Sequence, residues 1–254
     1  MSAMISGEIG SKCQTRNTSD IEVYIAARTE EGLSANSVNA ELRVIRRVVK
    51  LAQRDGFIVN PKLRITMLSG SVRKRKFSVQ EETQILGFLA ADGGESSTKA
   101  RELFVFLLDT GVRLNEALHC EWSDFDLDGR TFEVHRSKTS SISSLGLTRR
   151  VHSMLSTKTN QPMPFFEMDR AVKCLRMAID TVCNTPSHAK IIARDGRAVI
   201  HSCRDTFATR LISAGLTLYE GSKLLGHSSQ HMTAKYSHLE SRDVATRAAS
   251  LLER

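Results

Sequence analysis

Four short segments downstream of residue 100 combine arginine, lysine, histidine and tyrosine in patterns suited to chemistry at a phosphodiester. The segments are TGVRLNEAL (110–118), HRSKTSS (135–141), HSCRDTFATRL (201–211) and LLGHSSQHMTAKYSH (224–238). Guanidinium groups are planar, permanently charged and able to bind two oxygens at once, so a pair of arginines can neutralise a phosphate as a fifth oxygen approaches phosphorus. A tyrosine hydroxyl, with an ordinary pKa of about 10, becomes a nucleophile only where a positive field or a base assists it. Each segment alone also has an ordinary explanation, such as a surface ion pair or a solvated lysine.

The order and spacing of these segments resemble the signature of the tyrosine recombinase (phage integrase) family. In that family an arginine in a TGxRxxE context precedes a lysine in a β-hairpin, an HxxR pair, a Gly-His, and a tyrosine nine residues after that histidine. The matching positions are Arg113, Lys138, His201, Arg204, His227 and Tyr236. The resemblance spans residues 77–254, with a weaker match over 20–60. It implies a 3′-phosphotyrosyl linkage, strand exchange without ATP by attack of a free 5′-hydroxyl, and a homotetramer on two DNA sites.

The chemistry of phosphodiester cleavage suggests a role for each matching side chain. Arg113 and Arg204 would clamp the two non-bridging oxygens, and His201 would assist the tyrosine nucleophile. His227 would donate a hydrogen bond to a phosphate oxygen. Lys138, on a hairpin loop, would give the leaving 5′ oxygen its proton.

Three charged neighbours accompany these residues. Glu116 and Asp205 lie beside the two arginines in sequence, and we expect them to orient the arginines rather than to react. Arg136, two residues before Lys138, is a further cation expected to reach DNA from the same loop.

The chain has three tyrosines, and their sequence contexts favour Tyr236 as the nucleophile. Tyr24 lies in an N-terminal helix, far in sequence from the arginines. Tyr219 falls within an apolar helical pattern, where packing in the core is the expected role. Tyr236 follows a stretch of small polar residues, SSQHMTAK, and is expected to reach the site.

Hydrophobic periodicity and turn residues predict the elements that must position these side chains. Helices are predicted over 20–31, from Ser34 or Asn36 to 55, and over 78–91, 101–111, 148–156, 167–183, 201–214, 217–225 and 238–252, with another starting near 112. Strands are predicted over 124–127, 131–135 and 144–148, the first two joined by an Asp-Gly-Arg turn. Ser19 or Asp20 should cap the first helix. The fold class is therefore mainly α with a small antiparallel sheet (α+β).

Positive charge is concentrated before residue 77. Residues 28–76 hold twelve lysines or arginines and four acids, a net charge equal to the +8 of the whole chain. Such a basic segment suits a polyanionic partner, here double-stranded DNA, although a solvated basic helix is an equally ordinary reading. The cations expected to contact DNA are Arg43, Arg46, Arg47, Lys50, Arg54, Arg73, Lys74, Arg75 and Lys76.

Composition changes along the chain predict its domains. We expect a disordered N-terminus (1–19), a helical core-binding (SAM-like) DNA-binding region that is short for the family (20–68), a basic linker (69–76), and a catalytic domain with a C-terminal tail helix (77–254). The ordinary alternative for that tail is a helix packed on its own domain. In relatives, such a tail often docks on a neighbouring protomer.

Several classes of protein are disfavoured by the sequence. The five cysteines are scattered, with no CxxC pair, and no ligand spacing predicts a metal or other cofactor. The chain has neither a long apolar run nor a signal peptide, so we expect a cytoplasmic protein without a membrane partner. Two alternatives to a phage or mobile-element recombinase remain: a type I-B-like topoisomerase, and a catalytically inert DNA-binding relative.

Overall fold

The structure, a computed structural model, describes residues 17–70, 75–136 and 141–226. The chain divides into two compact units, Met1–Val72 and Arg73–Arg254. The division falls inside the basic segment predicted to link two domains. Within the described ranges, no helix is long and apolar enough to cross a membrane.

The described part of the first unit holds two helices, α1 (Thr18–Glu30) and α2 (Ala35–Arg54). Helix α1 begins earlier than predicted because Asn17 caps it, its side chain accepting a hydrogen bond from the backbone N–H of Asp20 at 3.1 Å. Helix α2 begins after Ser34, as predicted. Its predicted end is also confirmed, since Gly56 has a left-handed φ of +83° that favours glycine after a helix.

Helix α2 buries a narrower face than its apolar pattern predicted. Val38 and Leu42 are fully buried, whereas Val48, which the apolar period of this helix would also place inward, is 58% exposed. Between the two apolar residues, the amide of Asn39 donates to Leu68 O at 2.9 Å and accepts from Leu68 N–H at 2.8 Å. These two bonds fasten the segment after Pro61 to the helix.

The second unit is mostly helical. Its helices are α3 (Val79–Asp92), α4 (Glu95–Thr110), α5 (Leu114–Leu118), α6 (Arg149–Ser156), α7 (Asp169–Cys183), α8 (Ala189–Asp195), α9 (Ser202–Ser213) and α10 (Leu218–Leu225), with 3-10 turns at Trp122–Asp124 and Pro186–His188. A capping box of Ser78 and Glu81 starts α3 close to its predicted start at residue 78. Helix α8 was not predicted. The predicted tail helix lies outside the described residues.

Helix α4 starts six residues earlier than predicted. The predicted loop over 91–97 shrinks to Gly93 and Gly94. Gly93 ends α3 in the left-handed region, with φ +64°, and Gly94 is the extended residue that starts α4. Two adjacent glycines therefore complete the whole connection, because one supplies the backbone conformation that other residues rarely adopt.

Three antiparallel strands form one small sheet in the order β1 (Phe125–Asp126), β2 (Thr131–Arg136) and β3 (Ser141–Gly146). Strand β3 begins three residues before its predicted start because it pairs with β2 along its full length, Arg136 opposite Ser141. In the β1–β2 turn the left-handed residue is Arg130, with φ +51°, rather than glycine.

The main hydrophobic core joins the sheet to the helices around α4, which packs against α3, α6, α7 and α9. Phe106 of α4 is fully buried at its centre. Its ring lies 5.4 Å from Phe132 of β2 and 4.7 Å from Phe165, measured between ring centroids. The predicted mainly α fold with a small antiparallel sheet is confirmed, and Phe106 is where its two parts meet.

Replacing Phe106 should weaken this junction strongly. Phe106→Ala is expected to lower the free energy of unfolding of the second unit by about 3–5 kcal/mol, because it leaves a cavity in a packed core. A denaturant titration followed by the fluorescence of Trp122, the one tryptophan of the chain, measures the change. Phe166→Ala is the matched control, since this ring is 41% exposed, and should cost less. Equal losses in the two variants would contradict this assignment.

Candidate active site

Arg113 follows a turn that only glycine fits. Gly111 ends α4 with φ +64°, and a Cβ there would lie 2.2 Å from the ring of Phe207. Arg113 then starts α5: its backbone N–H donates to Glu116 Oε2 at 2.8 Å, and its Nη1 donates to Glu116 Oε1 at 2.7 Å. Glu116 therefore holds both the backbone and the guanidinium of Arg113.

His201 and Arg204 lie one helical turn apart at the start of α9. His201 is exposed, while Arg204 is buried. Arg204 Nη1 donates to Gly111 O at 2.7 Å, and its Nη2 donates to Leu225 O. The second predicted arginine is thus bound to the turn that carries the first one, Arg113.

The C-terminal end of α10 lies between two arginines. Arg204 binds the carbonyl of Leu225, and Arg136 Nη2 donates to the carbonyl of Leu224 at 2.8 Å. These carbonyls belong to the last turn of a helix, where no backbone N–H of the helix is available to them. Gly226 then ends α10 in the left-handed region, with φ +60°. The described part of this segment stops there, directly before His227.

Glu116 places one carboxylate between two guanidinium groups. Besides its bonds to Arg113, its Oε2 accepts from Arg136 Nη1 at 2.5 Å. Burial raises the pKa of the Glu116 carboxyl, but the hydrogen bond from the Arg113 backbone and the charges of Arg136 and Arg113 outweigh it, so the pKa lies below its ordinary value. The carboxylate therefore stays ionised well into the acid range.

Three of the predicted catalytic residues, Lys138, His227 and Tyr236, lie outside the described residues. Of the other three, Arg204 is bonded to the turn that precedes Arg113, and His201 lies one helical turn before Arg204 on α9. Asp205, predicted to support Arg204, is buried on α9, and its backbone carbonyl accepts a hydrogen bond from Thr209 at 2.8 Å.

The other two tyrosines have different surroundings. The Tyr24 hydroxyl donates to Glu41 Oε2 at 2.9 Å, and this bond, with burial, raises its pKa. The prediction that Tyr219 packs in the core is wrong: it is 63% exposed, with the Lys223 ammonium 5.0 Å from its ring centroid. Helix α10 buries Gly221 instead, so Tyr219 falls on the outer face.

The cations predicted to contact DNA fall into three groups. Exposed positions on α2 carry Arg43, Arg46, Arg47, Lys50 and Arg54. Among them, Arg46 donates to the carbonyl of Ile65. Arg73 and Lys74 lie outside the described residues, and Lys76 is exposed. Arg75 departs from the prediction of a surface cation, because it is buried against Glu81 and is not available to a phosphate.

Three of the four cysteines in the described residues are buried. Cys120 and Cys183 are buried free thiols, and burial raises the pKa of each to about 12. In the same ranges, no group of three or more histidine, cysteine, aspartate or glutamate side chains is placed to hold a metal ion.

Arg136 is the site residue whose place the sequence reasoning missed. It was expected to reach DNA, but it is 2% exposed and turned into the protein. The signal was present in the strand: Phe132, Val134 and Arg136 alternate along β2, and all three are buried. The strand period therefore places Arg136 on the inner face, whatever its charge.

Comparison with known proteins places this fold in the class of catalytic domains that cleave and transfer DNA strands. The model of the phage integrase family matches residues 76–242, and the chain belongs to that family, the tyrosine recombinases. It is therefore a DNA strand transferase.

Individual relatives are distant. Tyrosine recombinase XerC of Bacillus licheniformis is 25% identical over 239 residues, covering 87% of this chain and 76% of the relative. The solved Tn1549 transposon integrase, in complex with transposon right end DNA, matches with a TM-score of 0.71 at 19% identity, covering 92% of this chain and 86% of the other. The lambda integrase tetramer bound to a Holliday junction matches with a TM-score of 0.64 at 18% identity, covering 87% and 64%.

The lowered pKa of Glu116 predicts how stability depends on pH. A carboxylate with a depressed folded-state pKa stabilises the fold above the ordinary glutamate pKa of about 4.3, and this contribution is lost as pH falls through the folded-state pKa. Glu116→Gln should therefore lower the free energy of unfolding near neutral pH by on the order of 2 kcal/mol. The difference from the wild-type chain should shrink in acid.

Denaturant titrations at a series of pH values, followed by Trp122 fluorescence, measure this difference. Glu133→Gln, at an exposed position of β2, is the control and should leave the profile unchanged. A wild-type advantage over Glu116→Gln that stays constant down to about pH 3 would contradict the prediction.

Proposed function

We propose that this chain is a site-specific recombinase or integrase of a phage or other mobile element, acting on double-stranded DNA in the cytoplasm. It cuts and rejoins strands through a 3′-phosphotyrosyl intermediate on Tyr236, without a metal or ATP. Its working form is a homotetramer on two DNA sites, because recombination requires four strand cuts.

The bridge made by Arg204 is the observation that carries this proposal. One end of its guanidinium binds the Gly111 carbonyl, two residues before Arg113, and the other binds the Leu225 carbonyl, two residues before His227. Arg204 therefore connects the segments that lead to Arg113 and His227. All three side chains are of types suited to binding a phosphate. Arg113, which is partly exposed, would bind the phosphate, and His227 would donate to a phosphate oxygen. Arg204 is buried with its Nη groups on the two carbonyls, so it would stabilise the added negative charge on phosphorus through its own buried charge.

The remaining roles follow from the balance of the reaction. The Tyr236 oxygen forms a bond to phosphorus as the bond from phosphorus to the 5′ oxygen breaks. His201, exposed at the start of α9, assists removal of the tyrosine proton, and Lys138 supplies a proton to the leaving 5′ oxygen. A 5′-hydroxyl of another strand then attacks the phosphotyrosine, which restores the phosphodiester and frees the tyrosine.

Two observations support DNA as the partner. Helix α2 exposes a row of cations, including Arg43, Arg47 and Lys50, that suits a phosphate backbone. The Tn1549 and lambda integrases, which share this fold, were solved on transposon end DNA and on a Holliday junction. We extend DNA binding, tetramer formation and mobile-element origin from those proteins to this chain as parts of the proposal.

Covalent trapping tests the nucleophile. The substrates are duplexes that tile the ends of the genetic element encoding the chain, each nicked near the tested position so that the cleaved end diffuses away. The wild-type chain should form a protein–DNA adduct, and Tyr236→Phe should form none, because it lacks the attacking oxygen. Tyr219→Phe is the matched control and should still form the adduct, since it alters the other tyrosine of the second unit.

Two results would contradict the proposed nucleophile and reaction. An adduct that persists in Tyr236→Phe would overturn the nucleophile. The absence of an adduct with the wild-type chain on every duplex it binds would favour a catalytically inert DNA-binding relative.

Salt dependence tests the basic face of α2. Arg43→Gln, Arg47→Gln and Lys50→Gln combined should reduce the slope of log binding constant against log salt by up to about 3, because each lost phosphate contact changes the slope by about 0.9. Arg46 is left intact because it binds the Ile65 carbonyl. Gln53→Ala, an uncharged exposed position of α2, is the control. An unchanged slope in the triple variant would remove this face from the DNA interface.

A further inference from the structure

A buried arginine that the proposed reaction does not use connects three parts of the site. The side chain of Arg136, at the last residue of β2, is only 1% exposed. Its Nη1 donates to Glu116 Oε2 at 2.5 Å, its Nη2 to Leu224 O at 2.8 Å, and its Nε to Ser143 Oγ at 3.5 Å. Nε, Nη1 and Nη2 of the guanidinium therefore each donate a hydrogen bond to an acceptor inside the protein.

These three hydrogen bonds are required for the charged guanidinium of Arg136 to be buried. Burial lowers the pKa of Arg136, and the Glu116 carboxylate opposes this effect. An arginine remains charged in proteins, so its desolvation has to be offset by an ion pair and by hydrogen bonds to the remaining N–H groups. Arg136 can consequently occupy this position only while Glu116 and the end of α10 stay where they are.

On one side, Arg136 determines where α10 ends. It holds the Leu224 carbonyl while Arg204 holds the Leu225 carbonyl. A cation is also favourable at the negative end of a helix dipole. The following Gly226 lies so close that a Cβ on it would be 2.7 Å from Arg136 Nε. The left-handed Gly226 that ends α10 is thus packed against this side chain.

On the other side, Arg136 is linked to the catalytic arginine of α5. Glu116 Oε2 accepts from the Arg136 guanidinium and from the Arg113 backbone, and Glu116 Oε1 accepts from the Arg113 guanidinium. Lys and Arg differ at such a position, because the compact ammonium of lysine cannot span two acceptors as the planar fork of arginine does.

We propose that Arg136 is a positioning residue for strand cleavage: it holds Arg113, through Glu116, and the end of α10, through the Leu224 carbonyl and Gly226, in one fixed relation, and it does not bind DNA itself. This inference rests on the proposed function, since it assumes that Arg113 and His227, the residue after Gly226, act on one phosphate. Arg136→Lys should therefore slow cleavage about tenfold to a hundredfold, the range expected when reacting groups are displaced by about an ångström. DNA affinity and its salt dependence should not change.

The test measures three quantities for the wild-type chain and Arg136→Lys: the single-turnover rate of adduct formation on a nicked duplex at saturating protein, the dissociation constant across a salt series, and the folded fraction from Trp122 fluorescence. Rates are expressed per folded molecule. Arg150→Lys is the matched control, because Arg150 also shares its guanidinium between two carboxylates, Glu82 and Asp109, elsewhere in the same unit. It should leave the rate per folded molecule unchanged.

Each result bears directly on the inference. A rate for Arg136→Lys equal to that of the wild-type chain would overturn it, and so would weaker binding with a smaller salt slope, which would make Arg136 a phosphate contact. A slower rate in Arg150→Lys of the same size would reduce the effect to general destabilisation and also overturn it. If Arg136→Lys does not fold, Arg136→Gln, which keeps one amide donor without the charge, is measured in its place with the same expectations. A wild-type chain that forms no adduct would instead overturn the proposed function.

Discussion

The geometry of the candidate site depends on how the protein accommodates the charges of two buried guanidinium groups, those of Arg136 and Arg204. Arg136 and Arg204 are both nearly inaccessible to solvent, where an ion without partners would be prohibitively unfavourable. Each finds its acceptors on segments far apart in sequence: a carboxylate near the start of α5, a carbonyl in the turn after α4, and the last carbonyls of α10. The contacts that stabilise the two buried charges are therefore the same contacts that arrange the site.

The hydrophobic core supplies the rigid frame on which these polar contacts are made. Phe106 packs on Phe132, so helix α4 and strand β2 are held at a constant separation. The polar residues lie at the ends of these same two elements, Arg113 shortly after α4 and Arg136 at the end of β2. Because interiors are closely packed, a change of volume around Phe106 would be transmitted to the spacing of the two arginines.

Local patterns explain why much of the fold was predictable from the sequence. The capping box that starts α3 and the left-handed Gly56 that follows α2 involve neighbours in the chain, so these two helix ends were predicted correctly. Contacts between distant residues were not readable: Arg136 meets a carbonyl 88 residues away, and its positive charge suggested a surface role. Val48 and Tyr219 are exposed for a related reason: the apolar character of a residue does not determine which face of its helix a neighbouring element covers. The arginines and histidine of the candidate site could be named from the sequence because their motifs are short and ordered, and the role of each stays a prediction.

The sharing of Glu116 has a consequence for the local electrostatic potential. Two permanent positive charges, Arg113 and Arg136, face one carboxylate, so this trio retains an uncompensated positive charge. Arg113 is the more accessible of the two, with a side chain 29% exposed. The excess positive charge is therefore exposed at the Arg113 guanidinium, which Glu116 holds in place before DNA binds. Small oxyanions such as sulfate or inorganic phosphate should compete for this position, so the activity of the enzyme should depend on which anion the buffer contains.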